Sequence, residues 1–252
     1  MTGIPAPGWL RGPGVVCAHR GASADEPENT LVAARAAMAT GITLIECDVH
    51  LSADGVPVVL HDATLDRTTD LCGPVVARTA AALAVADAGG WRRADRAGEP
   101  LPTLAALLRC CRGRAGVLVE LKPDAASGSG LVEAVAAVVA AEKVDDAVAL
   151  LAFDHRHLVL AASVAPSLPR VALVGSAPTD PSALLRAAAA CALGPAAHCV
   201  DSRLVTAVHD VEAAVVTWTV DDPADAIRLA EQGVDVIVSN RPATVATALR
   251  AR

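Results

Sequence analysis

A chain of 252 residues, 53% of them hydrophobic, carries enough apolar side chain for a sizeable core, so folding requires neither a disulfide framework nor a structural metal. Its formal net charge of −7 argues against nucleic acid as a partner, because a phosphate backbone demands a dense basic surface. No charge-free apolar run of about 18 residues occurs, which argues against stable membrane insertion, and tyrosine is absent, so no chemistry rests on a phenolic hydroxyl.

Met1–Pro13 holds three prolines and no apolar centre, so it does not read as a signal peptide, and a cytoplasmic location is expected. A first strand is expected at Val15–Ala18 and a helix at Thr30–Ala39, with Asn29 as its N-cap and Gly41 just past its end. A second strand follows at Thr43–Val49. The stretch Leu51–Pro102 is too long for an ordinary connection. It opens with the turn signal Ala53-Asp54-Gly55 and the strand-like Val56–Leu60, and is expected to fold back across one end of the molecule. Beyond it, helices are expected at Thr103–Cys111, Leu131–Glu142, His155–Val164, Ser182–Ala190, Pro223–Gln232 and from Pro242 to the C-terminus. The intervening strands are Val117–Leu121, Val148–Ala152, Val171–Val174, His198–Asp201, Val215–Val220 and Val236–Ser239. Thr206–Val215 leaves little room for a helix, which makes the seventh unit the least regular.

Eight strands alternating with helices predict an α/β fold, a TIM-type (β/α)8 barrel with a small insertion after the second strand at about 51–102. Linkers rich in Pro and Gly between large units are missing, so residues 1–252 are expected to form one domain; a doubly wound open sheet is the competing architecture. Seven cysteines are an odd number without zinc-like spacing, and they read as reduced thiols packed as small hydrophobes.

The polar groups fall at strand ends. His19-Arg20-Gly21 follows the first strand, Glu46-Cys47-Asp48 lies in the second, His61-Asp62 ends the hairpin and Glu120-Leu121-Lys122 ends the third. Barrel active sites are built at the C-terminal ends of the strands. Residues two apart on a strand share a face, so Glu46 and Asp48 point together, as do Glu120 and Lys122. Three crowded carboxylates repel unless something neutralises them. A divalent cation does so, and all-oxygen ligands select Mg²⁺ or Ca²⁺. The bland alternative for each acid is an ion pair, with Arg20 and Lys122 as partners. His19 and His61 stand beside the acids and titrate near neutral pH. His50, His155, His157, His198 and His209 read instead as core or surface residues. Arg20 and Lys122 supply donors for a phosphate. Cation, two histidines and two phosphate anchors together suit the cleavage of a phosphodiester.

These segments, with Pro27-Glu28-Asn29-Thr30, Leu65-Asp66-Arg67-Thr68-Thr69, Pro102-Thr103-Leu104, Trp218-Thr219-Val220 and Asn240-Arg241-Pro242, resemble the glycerophosphodiester phosphodiesterase family. The resemblance implies a barrel with a small insertion, Glu46, Asp48 and Glu120 as ligands of one divalent cation, and His19 with His61 as the acid/base pair. It also implies that Arg20 and Lys122 hold the phosphate and that Trp218 walls the glycerol moiety. Glu28 and Asn29 are expected to order the loop under His19, and Asn240 and Arg241 to tie the last strand to the first. The chain departs from the family pattern at Ala152-Phe153, where a serine usually precedes the phenylalanine, and matches poorly over Ala187–Val215.

The expected substrate is a small-molecule glycerophosphodiester of an alcohol such as choline or ethanolamine, hydrolysed to glycerol 3-phosphate and the alcohol. Headgroup, cation, oligomeric state and the division of labour between the histidines stay open. The alternatives are a barrel phosphodiesterase acting on intact phospholipids, which the acidic charge and scarce aromatics disfavour, and a non-catalytic glycerophosphodiester-binding protein, which the retained ligands and histidines disfavour.

Overall fold

Alternation along each strand decides which side chains reach the middle of this protein. The computed structural model describes residues 5–122 and 130–251. The first four residues of the Met1–Pro13 stretch and the last residue of the expected C-terminal helix lie outside that range. The strands are β1 (Val15–Ala18), β2 (Leu44–Leu51), β3 (Pro57–Val59), β4 (Gly116–Leu121), β5 (Val148–Ala152), β6 (Arg170–Val174), β7 (Ala192–Pro195), β8 (Ala214–Thr217) and β9 (Val236–Ser239). The helices are α1 (Leu31–Ala39), α2 (Ala80–Leu83), α3 (Leu104–Cys111), α4 (Gly130–Glu142), α5 (His155–Val164), α6 (Pro181–Ala187), α7 (Ser202–His209), α8 (Pro223–Glu231) and α9 (Pro242–Arg250).

All the strands except β3 form a closed parallel ring. It shuts where β1 pairs with both β9, through Val15↔Val236 to Ala18↔Ser239, and β2, through Ala18↔Ile45. Strand β3 lies outside the ring, antiparallel to β2, and opens the insertion where the Ala53-Asp54-Gly55 turn predicts it. A TIM-type barrel is therefore correct, and the open sheet is excluded.

Residues of one parity fill the ring: Cys17, Leu44, Leu118, Leu151, Val171, Val216 and Val238 belong to one buried cluster. Residues of the other parity, such as Val16, Ile45, Cys47, Val49 and Val119, belong to a second cluster shared with the helices. Leu10, fully buried, closes the N-terminal end of the barrel beside Ala6. Burying one such leucine stabilises the fold by about 1.5–3 kcal/mol. The insertion has a small core of its own, with Val58, Leu60, Leu65, Val75, Leu83 and Leu101. No helix of the described residues is long and apolar enough to cross a membrane.

Two expectations need correction. The strand expected at His198–Asp201 is instead β7 at Ala192–Pro195. Ala197–Cys199 form a 3-10 turn, and Asp201 caps α7 by accepting from the Leu204 N–H at 2.8 Å. The region thus does hold a helix, one turn earlier than the supposed Thr206–Val215 gap. Strand β7 escaped notice because Ala-Leu-Gly-Pro has no β-branched residue. Its glycine answers to packing: a Cβ on Gly194 would lie 2.5 Å from Leu173 Cδ2, inside the barrel. The second correction concerns Asn29, which does not cap α1. Thr30 does, accepting from the Ala33 N–H at 3.2 Å, and Asn29 points to the site below. The other element ends agree to within the few residues by which such boundaries ordinarily vary.

Candidate active site

After β1 the backbone turns through two left-handed residues, Arg20 (φ 54°) and Gly21 (φ 82°). A Cβ at Gly21 would come within 2.6 Å of the Ala33 backbone, so only glycine lets this turn pack against α1. The turn holds His19 and Arg20 at the C-terminal mouth of the barrel.

His19 Nδ1 lies 2.7 Å from Asn240 Oδ1. Asn240 is itself oriented by Asp221, which accepts from its Nδ2 at 2.8 Å and from its backbone N–H at 2.7 Å. With the Asn240 amide thus turned, its oxygen faces His19. The network therefore assigns the proton to Nδ1 and leaves Nε2 with its lone pair, 3.9 Å from Glu46 Oε2. Burial, and then the Arg20 charge, lower the His19 pKa below its ordinary value, with Asn240 only partly opposing them.

The register of β2 against β4 sets Asp48 across from Glu120. One carboxylate oxygen from each of Glu46, Asp48 and Glu120 lies within 4.8 Å of the others. Asp48 is fully buried. It accepts from Asn29 Nδ2 at 2.8 Å and pairs with Lys122 at 2.8 Å and Arg20 at 3.0 Å. Burial alone would raise its pKa, but Lys122 and Arg20 outweigh it and hold the group below the usual carboxylate range. Glu46 goes the other way: burial, then the charges of Asp48 and Glu120, push it well above an ordinary glutamate. Its Oε2 accepts the Arg20 N–H at 2.9 Å, while its buried Oε1 has no hydrogen-bond partner among the described residues. Glu120 is also raised, by burial and then by Asp48, although Lys122 bonds to it.

His61 follows β3. Its Nδ1 lies 2.6 Å from Asp62 Oδ1, and its backbone carbonyl faces His50 Nε2 at 3.0 Å. Asp62 sits at about 2, held there first by its hydrogen bonds to Arg67 and, against a smaller effect of burial, by His61. Arg67 also bonds Glu28, and Glu28 accepts from Arg20 Nη1 at 2.8 Å.

A cavity of about 120 Å³ joins these parts. His19, Arg20, Glu46, His61, Glu120 and Lys122 line one side; Leu151, Phe153, Leu173, Val216, Trp218 and Val238 line the other. Trp218 is fixed by its indole N–H, which donates to the Gly194 carbonyl at 2.8 Å, and by an edge-on contact with Phe153 at 5.3 Å between ring centres. All the residues singled out from the sequence are brought together here, with Asp48 buried beside Lys122 and Arg20 and the others lining the space. The bland ion-pair reading also has substance, since Arg20 and Lys122 do pair with the acids. It leaves Glu46 Oε1 unexplained.

The sequence marked Asn240 as a tie between the last strand and the first, which it is, and Asp62 as the neighbour of His61, but not that they aim the two histidines. Asp221, which orients Asn240, went unremarked, because no local spacing links it to His19.

The glycerophosphoryl diester phosphodiesterase family matches residues 19–244. A glycerophosphodiester phosphodiesterase of Caldanaerobacter subterraneus subsp. tengcongensis is 31% identical, over 94% of this chain and 98% of its own. Among solved structures, an Oleispira antarctica phosphodiesterase in complex with the product sn-glycerol-3-phosphate superposes with a TM-score of 0.90 at 30% identity, covering 93% of this chain and 96% of that one. A glycerophosphodiester phosphodiesterase from Agrobacterium tumefaciens does so at 0.80 and 32%, covering 92% and 98%.

Proposed function

Because the chain belongs to the glycerophosphoryl diester phosphodiesterase family, whose members are phosphoric diester hydrolases, we propose that it cleaves glycerophosphodiesters to sn-glycerol 3-phosphate and a small alcohol such as choline or ethanolamine in the cavity at the barrel mouth. The observation that carries this reading is the convergence at one cavity of two oriented histidines, two cations and two carboxylates against an apolar wall, with the third carboxylate, Asp48, buried beside them.

The donor set fits a divalent cation. Glu46, Asp48 and Glu120 would hold it; they are buried oxygen donors, and the buried Glu46 Oε1 lacks a hydrogen-bond partner among the described residues. Oxygen donors favour a hard ion, Mg²⁺ or Ca²⁺. When bound, the ion supplies Lewis-acid polarisation and a template for the substrate oxygens.

The protein's own groups carry the rest. Glu28 accepts from Arg20 Nη1 and Asp48 forms an ion pair beside Nε, so among the described residues Nη2 is left for a phosphoryl oxygen, and Lys122 approaches as a point charge from the β4 side. The neutral His19, with Nδ1–H donated to Asn240, has Nε2 free to take a proton from the attacking hydroxyl, whether of water or of the neighbouring glycerol carbon. His61 donates a hydrogen bond from Nδ1–H to Asp62, which fixes the ring, and a proton carried on Nε2 would pass to the departing alkoxide. Trp218 and the aliphatic wall face the glycerol carbons and keep bulk water from that side. We read residues 1–252 as one domain and keep the expectation of a cytoplasmic enzyme with a small-molecule substrate.

The test is release of sn-glycerol 3-phosphate from glycerophosphocholine and glycerophosphoethanolamine, in EDTA and then with Mg²⁺ or Ca²⁺ restored. Turnover that returns with a cation supports the reaction and the ligand set together. Folded protein that turns over neither diester with either cation would overturn the proposed substrate class.

A further inference from the structure

Arg67 is not among the residues lining the cavity, yet its guanidinium is used on both sides. Nε and Nη2 donate to Asp62 at 2.7 and 3.2 Å, and Nη1 and Nη2 donate to Glu28 at 2.9 and 2.8 Å. Each carboxylate has a second task. Asp62 Oδ1 faces His61 Nδ1 at 2.6 Å, and Glu28 Oε1 accepts from Arg20 Nη1 at 2.8 Å. A chain of ion pairs thus runs His61–Asp62–Arg67–Glu28–Arg20. It starts on β3's C-terminal loop, passes through the insertion and ends on the turn after β1. The guanidinium plane is steadied by Trp91, whose ring centre lies 6.0 Å from its Cζ and whose indole N–H is held by the Ala88 carbonyl at 3.0 Å.

We propose that Arg67 is a positioning residue that sets the separation of His61 from Arg20, and hence of the proton-transferring group from the phosphate anchor. This rests on the functional reading above for what the two ends do. The physical reason lies in the two carboxylates. Asp62 Oδ1 and Glu28 Oε1 both accept from the same nitrogen, Nη2, so without the guanidinium two negative charges would face each other at close range. They would swing apart, and each would carry its catalytic partner with it. Only a planar fork grips two carboxylates at fixed angles; a lysine ammonium holds a point contact and imposes no such plane. A displacement of about 1 Å between reacting groups costs roughly 10²-fold in rate.

The experiment compares Arg67→Ala and Arg67→Lys with the wild type, each also placed in an Asp62→Asn/Glu28→Gln background. Thermal melts confirm folding, and Arg67→Lys serves where Arg67→Ala folds poorly. In the otherwise native protein either variant should lower kcat for glycerophosphocholine by roughly 10²-fold, the lysine restoring little. In the double background, where the two negative charges that Arg67 separates are gone, the same substitution should change kcat by no more than about twofold. A loss that multiplies undiminished in that background, or near-native kcat for Arg67→Lys, overturns the proposal. Histidine ring ¹⁵N NMR supplies a readout that does not depend on turnover. Arg67→Ala should shift or broaden the His61 signals and spare those of His19. Unchanged His61 signals overturn the positioning role even if the wild type hydrolyses none of the diesters tried, an outcome that would count against the functional reading alone.

Discussion

Asn29→Ala separates two accounts of one residue by the size of the loss. As a helix cap, which is how its place before Thr30 reads, its removal would cost about 1 kcal/mol. In the folded protein Asn29 is buried and clamps Asp48 from two directions. Nδ2 donates to Oδ2 at 2.8 Å, and Oδ1 accepts the Asp48 N–H at 3.2 Å. Losing a hydrogen bond to a buried carboxylate costs roughly 1.5–3 kcal/mol, and stripping the acceptor from a buried N–H costs about 1–3 kcal/mol. Asn29 also has φ 59°, a left-handed conformation that asparagine tolerates better than alanine, worth up to about 1 kcal/mol. Together these give about 4 kcal/mol, or roughly 8–16 °C in Tm for a chain of this size. Urea unfolding followed by tryptophan fluorescence, in EDTA so that cation binding adds nothing, measures it. Thr30→Ala, the true cap, is the control and should lose about 1 kcal/mol. If Asn29→Ala loses no more than Thr30→Ala, the clamp on Asp48 is not what stabilises this turn.

Four further outcomes are expected. His19→Ala and His61→Ala should each lower kcat by roughly 10²–10⁴-fold, and near-normal turnover in either would remove that residue from the reaction. With His19 depressed below 6.5 by burial and Arg20, it stays neutral into mildly acidic solution. The acidic fall in kcat/KM should therefore begin below 6.5, and a fall that begins above it would count against His19 as the base. Glu46→Gln should stabilise the cation-free protein, because it removes the burial cost of a carboxylate and, after that, its repulsion from Asp48 and Glu120. It should also abolish the Tm rise on adding Mg²⁺ or Ca²⁺, worth about 2.7 kcal/mol at one hundred times Kd; a cation response that survives the substitution places the ion elsewhere. Glu26 has its pKa lowered, first by hydrogen bonds from Arg96 acting against burial, so its contribution is present above the ordinary value of 4.5 and lost as pH falls through the lower folded value. The stability gap between wild type and Glu26→Gln should accordingly close in acid, and a gap that stays constant from pH 6 to about 3 would show that the ion pair is not its source.

Much of this protein was open to reading in one dimension because the relevant spacing is local. Glu46 and Asp48, two apart on a strand, had to share a face. The alternation of strands and helices put them at the mouth of a barrel, and Ala53-Asp54-Gly55 marked where the chain turns back. Strand β7 was not legible, since a barrel buries both of its faces by enclosure. Gly194 there answers to the space left by Leu173 rather than to intrinsic preference. Asn29 misled for a related reason: its residue type suits a cap, and only the approach of β2 shows that its amide is spent on Asp48.

What the sequence determined alone is the kind of chemistry: which acids, histidines and cations exist, and which of them a strand must turn the same way. What the tertiary structure decided is their state. Asn240 sets the His19 proton from 221 positions away, Asp62 and Arg67 steady His61, and Lys122 with Arg20 hold Asp48 ionised against the burial that pushes Glu46 and Glu120 toward protonation. Strand periodicity is a property of neighbours along the chain, whereas tautomer and charge depend on hydrogen bonds and desolvation from groups that meet only when the barrel closes.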